Sequence, residues 1–124
     1  MNFDITQSTR NLTLAAPAEQ TVTNTTPGAD VSRFYGVLAM VVDTGAMSAG
    51  ATIGVNLQDS DTLGGTYANV PNSTVFMTAA TAGFSSGVPV NTDAIRGFVR
   101  AVITINGATP SIFAAVRLFG YAYP

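Results

Sequence analysis

Three segments of this chain alternate between two sets of side chains with a period of two, and this pattern constrains the fold more than any other feature. The segments are residues 52–58, 96–105 and 111–123. Because successive side chains of a β-strand point to opposite faces of a sheet, each segment predicts a strand. The apolar sets that share one face are Ile53, Val55 and Leu57, then Val99, Ala101, Ile103 and Ile105, and finally Ile112, Ala114, Val116 and Leu118.

The rest of the chain predicts further short strands and almost no helix. Residues 33–42 form an apolar run typical of a strand buried on both faces, and Asp43, Thr44 and Gly45 then predict a turn. The last two alternating segments are joined by a short loop and predict a hairpin. Other strand candidates are residues 9–14, 67–70, 75–78 and 87–90, whereas 17–20 and 92–95 suggest single helical turns. This pattern predicts an all-β fold, an antiparallel β-sandwich of the jelly-roll type.

The first part of the chain differs in composition from the rest. Residues 1–28 are rich in Thr, Asn and Gln and predict an N-terminal arm, which leaves residues 29–124 as the sandwich domain. The arm is too polar for a core of its own, and its spaced apolar residues are expected to anchor it on a partner or an adjacent copy. These residues are Phe3, Ile5, Leu12 and Leu14.

The side chains that most enzymes depend on are missing. The sequence contains no His, Cys or Trp, and its five basic residues are all Arg. General bases near neutral pH and activated nucleophiles usually need His, Lys or Cys. We therefore expect no enzymatic activity, no cofactor and no bound metal. Asp59 and Asp61 could contribute to a Ca²⁺ site, but two carboxylates supply too few ligands, and a polar turn is the favoured interpretation.

Charge and hydropathy limit the partners. Charged residues make up only 10% of the chain and the net charge is −2, with the arginines scattered. Nucleic acid binding needs clustered basic residues, so none is predicted. No signal peptide or apolar stretch of membrane-spanning length is present, so we expect synthesis in the cytoplasm and no membrane partner. A surface this poor in charge predicts association, including a homo-oligomer such as a dimer or trimer.

Besides the four apolar residues of the arm, four further residues are candidates for contacts with a partner or with another copy of the chain. Arg96 and Arg100 are expected on one face of their strand, where they could pair with carboxylates of a partner. They could equally pair within the chain, with Asp93, Asp59 or Asp61. Tyr121 and Tyr123 lie beyond the part of the last strand needed for the core and predict either a subunit contact or simple edge packing. The other aromatic residues considered for a surface role, namely Phe34, Tyr35, Tyr67 and Phe119, lie at core spacing within strands.

The order of these pieces resembles that of a known family. A β-branched strand leads into Val55-Asn-Leu-Gln-Asp-Ser-Asp61, then a loop Gly64-Gly-Thr-Tyr67, then Arg96-Gly-Phe-Val-Arg-Ala-Val-Ile-Thr104 before a final strand. This arrangement, over residues 31–121, resembles head decoration or cement proteins of tailed bacteriophages, in particular the jelly-roll cement protein of the Bordetella phage capsid.

The resemblance implies a structural virion protein. It would bind the major capsid protein on the outer surface of an HK97-like shell, bridge neighbouring capsomers and stabilise the head against the pressure of packaged DNA. Two alternatives are a small jelly-roll coat subunit and a carbohydrate- or receptor-binding module of a phage fibre.

Overall fold

The computed structural model describes residues 9–78 and 85–123, which form ten strands. Phe3 and Ile5 therefore lie outside the described residues. The strands are β1 (Thr9–Gln20), β2 (Asn24–Thr25), β3 (Ala29–Asp30), β4 (Phe34–Met47), β5 (Thr52–Ser60), β6 (Ala68–Asn69), β7 (Val75–Thr78), β8 (Ser85–Asn91), β9 (Phe98–Asn106) and β10 (Ile112–Ala122). A short 3₁₀ helix, Thr92–Ala94, matches one of the two predicted helical turns.

The strands form two antiparallel sheets. Sheet A has the order β1-β10-β4-β8, and sheet B has the order β2-β9-β5-β6, with β3 also paired to β9 and β7 to β5. If β2 with β3 and β6 with β7 are each taken as one interrupted strand, eight strands divide equally between the sheets. Most successive strands then change sheet, which is the jelly-roll arrangement. The predicted antiparallel β-sandwich is confirmed.

The core lies between the sheets and is built by the alternation seen in the sequence. All eleven residues of the three apolar sets are buried, and Leu57, Val99, Ile112 and Leu118 have no exposed surface. Sheet A adds Leu38, Met40 and Val42 from the predicted strand at residues 33–42. This strand buries one face only, because Ala39 and Val41 on the other face stay partly exposed.

Two local predictions are wrong because the residues contact neighbouring strands. β9 and β10 do not form a hairpin: β9 pairs with β5 in sheet B, and β10 pairs with β1 and β4 in sheet A. The connection between them crosses from one sheet to the other. Asp43, Thr44 and Gly45 do not form a turn but continue β4, where Asp43 is an ion-pair partner of Arg117 on β10.

The predicted arm does not extend over residues 9–28. β1 pairs with β10 from Thr9 to Gln20, and β2 pairs with β9. Residues 17–20, which suggested a helical turn, form the end of β1 because this pairing satisfies their backbone. The strand candidate at residues 9–14 is confirmed and is longer than predicted. From Thr9 onward the chain belongs to the sandwich.

Proline occurs at every sheet edge. Pro17 lies in β1 and Pro89 in β8, the two edge strands of sheet A. Pro27 separates β2 from β3, and Pro71 lies between β6 and β7, so both edges of sheet B are interrupted at a proline. The register of β1 against β10 also shifts twice, between Thr13 and Ala18.

Candidate interaction face

The outer face of sheet A carries a group of apolar and aromatic side chains. On β10, residues alternate between buried and exposed, so that the aromatic residues oppose the core set and point outward. The neighbouring strand β4 adds small and β-branched residues to the same face. We call this surface the aromatic face; it consists of Tyr35, Val37, Ala39, Val41, Phe113, Phe119, Tyr121 and Tyr123.

Three tyrosines form a cluster at one end of the aromatic face. The ring centroids of Tyr35 and Tyr123 are 4.5 Å apart, and those of Tyr35 and Tyr121 are 6.2 Å apart. Tyr121 and Tyr123 remain 52% and 53% exposed although both rings pack against Tyr35. The cluster leaves aromatic surface available for a further contact.

A bulge in β4 aligns this cluster. Gly36 has φ of 75°, a left-handed conformation that favours glycine, and the register shifts here relative to β10. The shift places Tyr35 opposite Tyr121. Gly120 lets the strands approach closely, because a Cβ atom there would lie 2.7 Å from Cδ2 of the buried Leu38.

One ion pair lies within the aromatic face. Nε of Arg117 is 3.1 Å from Oδ2 of Asp43, and the hydroxyl of Ser85 on β8 donates a hydrogen bond to Asp43. The Arg117 Nε atom is buried and has no hydrogen-bond partner among the described residues, so the contact with Asp43 is electrostatic only. Both side chains remain partly exposed, at 41% and 33%.

The outer face of sheet B is polar and satisfies its own hydrogen bonds. We call it the polar face. Oδ1 of Asn69 accepts hydrogen bonds from Asn56 and Gln58, at 3.2 and 3.0 Å. Nε of Arg100 donates to Oε1 of Gln58 at 2.9 Å, and its guanidinium lies 4.2 Å from the ring centroid of Tyr67. These contacts form one connected network.

At the end of β5, Arg96 contacts the carboxylates of Asp59 and Asp61. The buried carboxylate of Asp59 accepts hydrogen bonds from the backbone N–H and from Nη2 of Arg96, at 2.9 and 3.1 Å. A longer contact, 3.5 Å, joins Nη1 of Arg96 to Asp61. The hydrogen bond to Asp59 raises the pKa of Arg96 above its ordinary value. Asp59 is therefore committed to a structural role in the folded chain.

The structure places the predicted contact residues in three different environments. Arg96 and Arg100 pair within the chain, which is one of the two alternatives open for them. Leu14 is buried in the core and Leu12 packs against it, so neither is a free anchor. Tyr121 and Tyr123 are exposed and belong to the aromatic face.

The sequence interpretation missed Phe119 and Tyr35, which lie on the aromatic face and not in the core. A signal was present: Phe119 shares its side of β10 with Arg117, and a strand face that carries arginine points outward more often than inward. Phe119 is 42% exposed. Only Phe34 of the aromatic residues assigned to core spacing packs against the core cluster.

Within residues 9–78 and 85–123, no group of three His, Cys, Asp or Glu side chains is arranged to hold a metal ion. The same part of the chain has no helix long and apolar enough to cross a membrane.

No model of a known protein family matches the chain, and no curated protein matches it. Solved structures of infectious bursal disease virus (IBDV) do match. In the T13 IBDV viral particle the match covers 94% of this chain and 31% of that chain, with 14% identity and a TM-score of 0.60. In the VP2 subviral particle of the same virus it covers 94% and 32%, with 12% identity and a TM-score of 0.55.

The Gx strain of this virus gives a similar result, with 16% identity, 94% and 33% coverage and a TM-score of 0.53. This chain thus spans about a third of the length of the chains it matches. At such low identity the likeness shows the fold alone. The β-sandwich found here also occurs in proteins of viral particles.

Proposed function

We propose that this chain is a structural protein of a virion, and specifically a decoration or cement protein on the outer surface of a tailed-phage head. Its partners are the major capsid protein of an HK97-like shell and other copies of itself, and it is assembled in the host cytoplasm. It bridges neighbouring capsomers and stabilises the head against internal DNA pressure. The proposal gives the chain no catalytic role, which agrees with the absence of His, Cys and Lys.

The observation that carries the proposal is the aromatic face. Val37 and the exposed rings of Phe119, Tyr121 and Tyr123 lie on a surface whose charges are largely neutralised by one ion pair. Contiguous apolar surface of this kind marks protein contact sites, and tyrosine is enriched at them.

The whole outer face of sheet A, of which the aromatic face is the part on β4 and β10, approaches the size of a specific contact. Four strands about 4.8 Å apart and about nine residues long present roughly 500 Å² of flat area, and side-chain relief increases it. Specific interfaces bury about 800 Å² per partner. Repeated over a lattice, one such contact per chain stabilises the assembled shell relative to its free subunits, because binding to the assembled state alone shifts the equilibrium toward it.

The alternative of a small jelly-roll coat subunit is favoured by the fold likeness to viral particles. It differs from the cement role in one respect: a coat subunit assembles without a separate shell. Negative-stain electron microscopy of the purified protein, with and without empty phage shells, distinguishes the two. A cement protein decorates shells and forms no closed particles alone, whereas a coat subunit forms particles alone.

Two matched substitutions test which face binds. Phe119→Ser removes a ring from the aromatic face, and Phe76→Ser removes a ring that is 63% exposed on β7 of sheet B. We expect Phe119→Ser to weaken shell binding by about tenfold or more and Phe76→Ser to leave it unchanged. Equal retention of both variants on sedimented shells contradicts the assignment of the aromatic face as the contact surface.

A further inference from the structure

A cavity of about 340 Å³ lies at the tyrosine end of the aromatic face. Its walls come from the start of β1, the connection from β3 to β4, and the end of β10. Backbone pairing holds these walls together: Arg10 pairs with Gly120, Ala122 pairs with Phe34, and the N–H of Tyr123 donates to the carbonyl of Arg33 at 2.8 Å. The cavity is thus built from the end of sheet A together with Asp30 of β3 in sheet B, and it is of the size that small ligands occupy.

The cavity holds arginine side chains that form no ion pair in the described fold. Three of the five arginines have charged, polar or aromatic partners, namely Arg96, Arg100 and Arg117. The other two, Arg10 and Arg33, form no side-chain hydrogen bond or ion pair within the described residues, although Arg33 interacts at longer range with Asp30, and both line this cavity. Two exposed guanidinium groups at one cavity favour a ligand that carries a carboxylate or a similar anion.

The cavity also contains acceptor and apolar groups, which favour a ligand with hydroxyl and apolar surface over a purely anionic one. Asp30 lines it, and the pKa of Asp30 is held below its ordinary value by hydrogen bonds from the backbone N–H and the hydroxyl of Ser32, so it stays ionised. A carboxylate repels a second anion but accepts hydrogen bonds from hydroxyl groups. Asn11 adds an amide, and Tyr123 adds a half-exposed ring.

We propose that this cavity binds a saccharide unit that carries a carboxylate, such as a uronic acid. Arg10 and Arg33 bind the carboxylate, Asp30 and Asn11 hydrogen-bond the ring hydroxyls, and Tyr123 packs against the apolar face of the sugar ring. This inference goes beyond the proposed capsid role and does not depend on it, since it rests only on the cavity and its lining.

The test is a titration of the full chain with sodium D-glucuronate, followed by NMR of the arginine Nε–H signals. The chain has only five basic residues, all Arg, so these signals can be followed individually. Glucuronate is expected to shift the Arg10 and Arg33 signals with millimolar affinity. Two control ligands are D-glucose, which lacks the carboxylate, and sodium acetate, which lacks the ring. Each is expected to bind with a dissociation constant at least about ten times higher than that of glucuronate.

The double variant Arg10→Ala with Arg33→Ala should weaken glucuronate binding by about tenfold or more, whereas Arg100→Ala on the polar face should not change it. Both arginines of the cavity are exposed, so the double variant is expected to keep its melting temperature. Acetate binding as tight as that of glucuronate would indicate a general carboxylate site, for example for an acidic protein segment, and would overturn the saccharide assignment. Absence of any shift in Arg10 and Arg33 would overturn the site itself.

Discussion

The two outer faces of the sandwich differ in whether their side chains find partners within the chain. On the polar face, Asn56, Gln58, Asn69 and Arg100 hydrogen-bond one another, and Tyr67 lies beneath the guanidinium of Arg100. On the aromatic face, tyrosine and phenylalanine rings stay about half exposed and surround a single ion pair. The side chains of the polar network are satisfied within the chain, whereas the rings of the aromatic face keep about half of their surface exposed.

This difference indicates which face of a chain so poor in charge is expected to associate with other molecules. Only 10% of the residues are charged, yet the charged side chains on the polar side are held in networks within the chain. A face whose polar groups are already satisfied offers little to a partner, because breaking its hydrogen bonds costs as much as new ones return. Association is therefore expected on the aromatic face, which carries four exposed rings, and not at the exposed ring of Phe76 on sheet B.

The largest predicted effect concerns sheet A, on which the aromatic face depends. Deleting residues 1–14 removes half of β1, including the buried Leu14, and exposes the edge of β10. We expect this variant to lose its cooperative thermal unfolding transition and most of its β-sheet circular dichroism signal. Deleting residues 1–8 alone should leave both unchanged. A folded 15–124 fragment with a near-native melting temperature would show that β1 is dispensable.

The second prediction tests self-association with two matched valines. Val37 is 56% exposed on the aromatic face, and Val22 is 66% exposed in the connection between β1 and β2. Val37→Asp places an unpaired charge in the expected interface, so it should raise the dissociation constant of the homo-oligomer by about tenfold or more. Val22→Asp should have no effect. Light scattering at tens of micromolar gives the masses; a monomeric native protein would contradict the prediction.

The third prediction compares the two ion pairs. Asp59→Ala removes a buried acceptor from the backbone N–H of Arg96 and should lower the free energy of unfolding by about 1–3 kcal/mol. Asp43→Ala breaks a partly exposed pair on the aromatic face and should cost about 1 kcal/mol or less. Urea denaturation measures both values. If Asp43→Ala lowered the free energy of unfolding more than Asp59→Ala does, the prediction would be contradicted, and the Asp43–Arg117 pair would be a main stabilising contact of the isolated fold.

The smallest predicted effect is that of Arg100→Gln. This substitution removes the cation–π contact with Tyr67 but can keep one hydrogen bond to Gln58, so the expected loss is about 0.5–1 kcal/mol. It should not change association, because Arg100 lies on the polar face. A change in oligomeric mass in this variant would contradict the separation of roles between the two faces.

Alternation in the sequence predicted which residues are buried but not which strands pair. The core residues of β5, β9 and β10 follow directly from period-two patterns, since these depend on each strand alone. The false hairpin between β9 and β10 arose because period two carries no information about the partner strand. In a jelly roll the last two strands lie in opposite sheets, and only the whole topology reveals this.

The prediction of a turn at residues 43–45, which lie within β4, was wrong for a different reason. Asp43 and Gly45 are typical turn residues, but here they lie within a strand and face β10: Asp43 pairs with Arg117, and Gly45 lies beside the ring of Phe113. The aromatic face could be predicted in part, from Tyr121 and Tyr123. Its alignment could not, because the register shift at Gly36 depends on the pairing of β4 with β10.

Proline at every sheet edge has a consequence for the behaviour of the protein at high concentration. A strand edge with a full row of free N–H and C=O groups can recruit further strands without limit and grow into cross-β fibres. Pro17 and Pro89 each place a residue without an N–H in an edge strand of sheet A, and both edges of sheet B are interrupted at a proline, so each edge is a poor template for a further strand. At high concentration the protein is therefore expected to form complexes of limited size and not fibrous aggregates.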